Sequence, residues 1–263
     1  PQEYKQYMRL FNDMVTHILI CDKPVINRVN GMRVAGGQEI GMACDFTIAA
    51  DTARFGQAGP KHGSAPDGGS TDFLPLYVGI SRATESCVLC EQWSAQQAVR
   101  IGLINKIVPV FKKRDGSFIR TPFVYEEESD EWGNPKYGKF KSGQDKKVAA
   151  ETVADCETDF TLLDQEVERT CYSMALLMPD CVSKTLESLR KKKLEHWQRN
   201  CETNRSWLAL NMMTEAKAGF RAFNEGPRGN REVDFIKLRR ALAQGTPWTE
   251  ELVESILPKD TSQ

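Results

Sequence analysis

The sequence predicts an α/β fold. A strand-like run at 24–29, Pro-Val-Ile-Asn-Arg-Val, leads through a paired-glycine turn into a short apolar helix at about 37–43. A second strand-like run, Phe46–Ala50, follows at once, and strand, helix, strand in that order makes a crossover unit. From about residue 160 onward the pattern turns helical, with apolar side chains recurring every three or four residues.

Residues 4–20 place Tyr7, Phe11, Met14, Val15, Ile18 and Leu19 on one helical stripe, and Asp22-Lys23-Pro24 ends that helix. The strand expected at about 25–30 feeds the run Asn30-Gly31-Met32-Arg33-Val34-Ala35-Gly36-Gly37-Gln38-Glu39-Ile40-Gly41-Met42-Ala43-Cys44-Asp45-Phe46. Residues 56–70 are rich in Gly, Pro and Ala and hold Lys61, His62, Asp67 and the Gly68-Gly69 pair, a loop long enough to line a site. A helix is expected at Ser81–Cys90, and Ser94 caps another at Ala95–Ile101 with Gly102 at its end. Leu103–Val108 is a short strand closed by Pro109.

From 111 to about 150 the chain becomes charged and aromatic, and Asp115-Gly116 between Lys-Lys-Arg and Ser-Phe-Ile suggests a hairpin. Three parts are therefore expected: a core over 1–110, an insertion or lid over 111–158, and a helical region over 159–263. In the last, Leu162, Leu163, Val167, Met174 and Leu177 form a stripe that Pro179 breaks. Further helices are expected at 181–195 and at 202–225, the second ending at Gly226-Pro227. Lys191-Lys192-Lys193 reads as a solvated helix face.

The bulk numbers exclude several classes. A formal net charge of −1 and no Arg/Lys-rich stripe give no field for nucleic acid. No apolar run approaches the roughly 18–20 residues that span a bilayer, so no membrane partner is expected. Eight cysteines spread along the chain, several in apolar runs, point to reduced thiols and a cytoplasmic protein. The close pair Cys87-x-x-Cys90 lacks further ligands nearby, and three histidines make a His-rich metal site a poor reading, so no metal is expected. The chain starts with Pro-Gln-Glu-Tyr, without Met or a signal-peptide pattern and already inside a helical pattern, and is expected to be a segment of a longer protein.

The chemistry concentrates at the glycine turn. A helix start offers free backbone N–H groups and the positive end of a dipole, and glycine lets a substrate oxygen approach that backbone closely. Such a site holds a phosphate or the oxyanion of a thioester enolate. The spacing fits neither the dinucleotide glycine pattern nor the phosphate-binding loop, since no Lys-Ser/Thr follows the glycines. Glu39, three residues after Gly36, puts a carboxylate within one helical turn of the site. A tight packing turn and a dipole-favoured acidic residue remain the plain alternatives.

Over Lys23–Val108 the chain resembles the crotonase (enoyl-CoA hydratase/isomerase) superfamily. The markers are Lys-Pro-Val-Ile at 23–26, Asn30-Gly31, Gly36-Gly37-x-Glu39, Ala43-Cys44-Asp45, Ala53-Arg54-Phe55-Gly56, Gly68-Gly69-x-Thr71, Leu74-Pro75, and Ser94-Ala95 with Ile101-Gly102-Leu103-Ile104. Thr214–Glu225 is similar to the terminal helix of that family. The resemblance implies a crotonase-like spiral of strand–strand–helix units, a helical C-terminal trimerisation region, an acyl-CoA substrate, and a homo-trimer or hexamer. It gives Gly36 one oxyanion-hole N–H and Glu39 the position of one catalytic glutamate of the hydratases. The second hydratase glutamate would fall in Phe55-Gly56-Gln57-Ala58-Gly59, where this chain has Gly59. That departure argues against plain two-glutamate hydration and leaves room for a bulkier acyl group or an extra water.

Phe55–Pro66, Thr71–Pro75 and Trp207–Glu215 resemble the ring-opening members of that family in anaerobic benzoyl-CoA degradation. The resemblance then implies water addition to a cyclic enone thioester followed by ring C–C cleavage, with no cofactor beyond the coenzyme A of the substrate. Glu39, with Asp72 and His62 as partners, is expected to carry the acid/base work, with Asp67 as a third candidate partner. Gly37, Gly59, Asp67 and Gly68 are expected to line the substrate. A plain hydratase or isomerase, and a non-catalytic scaffold, are the rival readings. The part of the family that precedes the Lys-Pro-Val-Ile strand is expected to supply the first spiral turns, the other oxyanion N–H and much of the adenine pocket.

Overall fold

The computed structural model describes residues 1–259. The first helix, α1 (Gln2–Ile20), buries Met8, Asn12, Val15 and Leu19, while Tyr7 and Met14 stay exposed. The buried stripe is thus rotated from the purely apolar one. Asn12 lies inside it because its side-chain amide finds the Cys201 carbonyl at 3.2 Å, and a buried polar group is tolerated when it is paired.

β1 (Ile26–Val29) and β2 (Met32–Val34) precede α2 (Gly36–Ala43); β3 (Phe46–Ala50) and β4 (Arg54–Gly56) precede a 3₁₀ turn at Gly59–His62 and α3 (Ser70–Leu89). β5 (Gln92–Ser94) leads into α4 (Ala95–Arg100), and β6 (Lys106–Val108) follows. β1, β3 and β6 form one parallel sheet, with Ile26 opposite Phe46 and Ile48 opposite Lys106. β2 and β4 pair in parallel in a second sheet, where β5 joins antiparallel with Phe55 opposite Trp93. Each of the first two circuits lays one strand in each sheet and then a helix, which is the strand–strand–helix spiral. The main core fills the space enclosed by α1, the sheets, α3 and the later helices, around Val15, Leu19, Met42, Phe55, Phe73, Leu74 and Trp197.

Two features escaped the sequence pattern. β2, β4 and β5 have three residues each, too few to display alternation. α3 is two helical stretches joined at Gly79, whose φ 78° and ψ 161° are not helical; the stretch after it is the helix expected at Ser81–Cys90, and the stretch from Ser70 is the one that Pro75 and Gly79 conceal. The Ser94 cap is as expected: its hydroxyl accepts from Gln97 N–H at 3.1 Å, and Gln97 Oε1 accepts from Ser94 N–H at 3.2 Å.

The segment from 111 forms its own small sheet. β7 (Phe111–Lys112) and β8 (Phe118–Ile119) make the hairpin across Asp115-Gly116, and after α5 (Gly143–Thr152) a last strand, β9 (Glu157–Thr158), pairs with β7. Asp51 ties this segment to the spiral by accepting the Thr121 N–H at 2.6 Å.

The remainder is helical: α6 (Thr161–Ala175), α7 (Pro179–Asn211), α8 (Glu215–Glu225), α9 (Phe235–Ala243) and α10 (Glu250–Ile256). The expected helices at 181–195 and 202–225 are corrected here. One 33-residue helix, α7, runs through 196–201, and the break falls at 212–214 instead. The intervening residues look polar but serve the interior: Trp197 is 1% exposed and donates its indole N–H to Thr16 at 2.9 Å. The solvated-face reading of 191–193 is corrected for Lys193, whose ammonium turns inward to the carbonyls of Met42 and Cys44. Among the described residues no helix is long and apolar enough to cross a membrane.

Candidate functional site

The turn before α2 positions the site. Ala35 N–H bonds Gly56 O at 3.1 Å, which fastens the turn to the end of β4. Ala35 holds φ 53° and ψ −126°, a conformation that L side chains rarely adopt. Its carbonyl accepts from Gln38 N–H at 2.9 Å and Glu39 N–H at 3.1 Å. Among the described residues, the amides of Gly36 and Gly37 donate to no protein acceptor, so two donors stand free at the helix start.

Glu39, one turn into α2, is 6% exposed. Its Oε1 accepts the Gly68 N–H at 3.0 Å. Glycine at position 68 lets both side chains keep their places, since a Cβ there would meet Glu39 Oε2 at 2.3 Å and Phe11 Cε1 at 2.7 Å and push one of them aside. Burial pushes the Glu39 carboxyl up to about 7, with hydrogen bonds from Gly68 and Ser70 pulling it back and Asp67 adding repulsion. A carboxyl near 7 both takes and returns a proton at neutral pH.

These groups line one cavity of about 200 Å³, together with Tyr4, Phe11, Gln57, Gly59 and His62. His62 comes from the 3₁₀ turn, with its ring edge-on to Phe223 at 4.7 Å between centroids. Its Nδ1 is buried without a hydrogen-bond partner, and burial moves the imidazole below its usual 6.5, so it is neutral at pH 7. The structure thus brings together Gly36, Glu39, Gly59, His62 and Gly68. Gln57 faces Ser70 on the same side, their side chains hydrogen-bonded.

Two other candidates lie elsewhere. Asp67 lines a neighbouring cavity of about 460 Å³ on the far side of the 64–66 loop, and its Oδ1 accepts the Thr71 hydroxyl at 3.1 Å. Asp72 is 4% exposed and points from α3 toward α7, where Oδ1 accepts Asn200 Nδ2 at 2.6 Å. Neither carboxylate lines the cavity that holds Glu39, and none of residues 111–158 does. Gly37 sits at the helix start beside Gly36 without lining the cavity.

The sequence reading missed the wall formed by Tyr4, Tyr7, Met8 and Phe11 of α1 and by Leu208 and Phe220 of α7 and α8. The aromatic residues at 4, 7 and 11 were a visible signal, since that spacing gives one helix face. Leu208 and Phe220 carried none. Among the described residues, no group of three or more His, Cys, Asp or Glu is placed to hold a metal ion.

A free amide at a helix start, that of Gly36, beside a buried carboxyl of raised pKa is a device for stabilising an oxyanion and moving a proton next to it. Residues 1–115 match the family model described as enoyl-CoA hydratase/isomerase. Over 260 residues the chain is 57% identical to a 6-oxocyclohex-1-ene-1-carbonyl-CoA hydrolase of Geobacter metallireducens, covering 98% of this chain and 68% of that protein. A protein of the same name from Thauera aromatica is 56% identical, with 98% and 69% covered. One from Syntrophus aciditrophicus is 46% identical over 264 residues, again with 98% and 69% covered. Among solved structures, a putative enoyl-CoA hydratase from Mycobacterium avium paratuberculosis K-10 superimposes with a TM-score of 0.61 at 18% identity, covering 85% of this chain and 68% of that one. A second enoyl-CoA hydratase from the same source gives 0.58 at 20% identity, with 83% and 70% covered. The structural likeness carries the spiral fold alone. Joined to identity above one half over nearly the whole chain, it leads to one conclusion: the chain belongs to the enoyl-CoA hydratase/isomerase family.

Proposed function

We propose that this protein adds water to 6-oxocyclohex-1-ene-1-carbonyl-CoA and then opens the ring hydrolytically to give 3-hydroxypimeloyl-CoA, a step of anaerobic benzoyl-CoA degradation. The observation that carries this reading is the cavity in which Glu39 faces Gly59 rather than a second glutamate, with the neutral His62 beside it. At about 200 Å³ it is smaller than the roughly 300–1,000 Å³ of pockets that take whole drug-sized ligands, and is of a size for the reacting head of a thioester.

The chemistry is economical. In the first step water adds to the carbon β to the thioester. In the second, water attacks the ring ketone, the bond to the α carbon breaks, and its electron pair passes to the thioester oxygen before the α carbon is protonated. Both steps place negative charge on the same oxygen, so one anion site at Gly36 serves both. Glu39 activates a water and returns the proton; His62 handles the second proton from the other wall. Asp72 and Asp67, outside this cavity, would act only through neighbours: Asp72 by bracing α3 on α7, Asp67 by its charge on Glu39. Nothing in these steps calls for a metal or a redox cofactor, and coenzyme A enters with the substrate.

We place the protein in the cytoplasm, in keeping with eight cysteines that all remain thiols. We further expect a trimer or hexamer, because α7, α8 and the turn between them expose Trp207, Leu210, Met213 and Phe223. Light scattering after size exclusion checks this, and a monomer at micromolar concentration would discard it.

The test of the activity is direct. Incubated with the cyclic enone thioester, the protein is expected to yield a product heavier by two waters and carrying a new free carboxylate. Crotonyl-CoA serves as the rival substrate. Hydration of crotonyl-CoA with no ring opening of the cyclic thioester would instead make the protein a plain hydratase.

A further inference from the structure

The last carbonyls of a helix have no partner within it and need donors from elsewhere. At the C-terminal end of α2, Met42 O accepts the Lys193 ammonium at 2.8 Å and the Tyr77 hydroxyl at 2.9 Å, and Cys44 O accepts Lys193 at 2.9 Å. Lys193 comes from α7 and Tyr77 from α3, so two helices converge on this end. From below, Arg33 of β2 grips the same helix: its Nε donates to Gln38 Oε1 at 2.7 Å, and its Nη1 to Asn27 and Thr47 at 3.0 and 2.8 Å. Gly41 gives it clearance, since a Cβ there would meet Arg33 Nε at 2.6 Å.

We propose that Lys193 is a positioning residue for the anion site, its half-buried charge capping the end of α2 opposite Gly36 and so fixing where the free amides and Glu39 point. The proposal deepens, and for its kinetic part rests on, the enolate-stabilising reading above. α2 is eight residues long, about 12 Å at 1.5 Å per residue, so loosening at the capped end reaches the other. A cation at a helix C-terminus also complements the dipole whose positive end faces the oxyanion.

The surroundings make this charge sensitive to pH. Burial lowers the Lys193 ammonium to about 8; Asp45 and Cys44 favour the charged form, while Arg190 and Arg33 oppose it. Tyr77, whose ring lies 5.1 Å from the ammonium, is pushed up to about 12, the Cys44 thiol is raised, and Arg33 stays charged to about 10. Hydrogen bonding to Asp45 raises Arg190. Lys193 is therefore the first of these cations to lose its proton as pH rises. The cap is present below about pH 8 and lost above it.

The test compares wild type with Lys193→Met and Lys193→Arg in two readouts. In turnover of the cyclic enone thioester, Lys193→Met is expected to lower kcat about tenfold at pH 7 with KM little changed, the size of a partly buried helix-end charge. The wild-type alkaline limb near pH 8 is expected to vanish in Lys193→Met and to shift beyond pH 9 in Lys193→Arg. In amide hydrogen exchange without ligand, residues 36–45 are expected to exchange faster in Lys193→Met but not in Lys193→Arg, with α9 unchanged. A Met variant that keeps the wild-type alkaline limb, or the wild-type exchange across 36–45, overturns the proposal. If wild type opens no cyclic thioester, the functional reading falls, and the exchange comparison alone decides the role of Lys193.

Discussion

Glu39→Gln is expected to lower the ring-opening rate by about 10²–10⁴-fold, the usual contribution of a positioned acid/base group. Glutamine keeps the shape and the acceptor for the Gly68 N–H, so the fold is expected to survive; it cannot take a proton from water. Wild-type kcat should rise with pH through about 7 as the buried carboxyl ionises, and the variant should lose that limb. Near wild-type turnover in the variant would remove Glu39 from the chemistry. Stability adds an independent reading. The folded-state pKa is raised, so the contribution of Glu39 is complete below 4.5 and is lost as pH rises through about 7. That interval corresponds to about 3 kcal/mol, so Glu39→Gln should gain up to that much on wild type between pH 4 and pH 8 in urea denaturation. A stability difference that is flat with pH would show that the carboxyl is not desolvated in solution.

The second large effect is structural. Asp45→Ala is expected to cost about 3–5 kcal/mol, because it leaves the Arg190 guanidinium buried without its anion. The pair is bidentate, with Nε to Oδ1 at 2.8 Å and Nη2 to Oδ2 at 2.5 Å, and the two side chains are only 3% and 7% exposed. Arg190 also donates to the carbonyls of Cys21 and Lys23, and Asp45 accepts the Val25 N–H at 2.7 Å. One ion pair thus fastens α7 to the segment that enters β1. The double variant Asp45→Leu with Arg190→Met should lose less than Asp45→Ala, since no bare charge remains. A loss of less than about 1 kcal/mol for Asp45→Ala in urea denaturation would show that water reaches the guanidinium.

How much was legible depended on whether a signal was local. Gly36 and Glu39 stand three residues apart in one turn of one helix, and the sequence places them together without knowledge of the rest of the fold. His62 and Gly59 share a single loop that closes over them, so their meeting with Glu39 was also legible. Asp72 was not. Its place at the start of α3 suggested a site, yet its side chain turns to Asn200, 128 residues away, and no local pattern announces that. α7 was split for a related reason. Arg190, Asn200 and Asn211 each have an inward partner, so polar residues occupy the inward face where the pattern demands apolar ones. Lys193 was hidden differently, as one of three identical residues, two on the surface and one turned inward.

The uninterrupted length of α7 has a consequence for how this protein can change. Its inward side chains reach Asp45 from position 190, Asp72 from 200 and Gly63 from 211, over about 30 Å of a single rod. A helix turns by about 100° per residue, so one residue gained or lost between 190 and 211 would swing every contact beyond that point onto the wrong side. The register of the rod is therefore fixed. It works as a ruler whose graduations are set by the loops and helices that it holds in place.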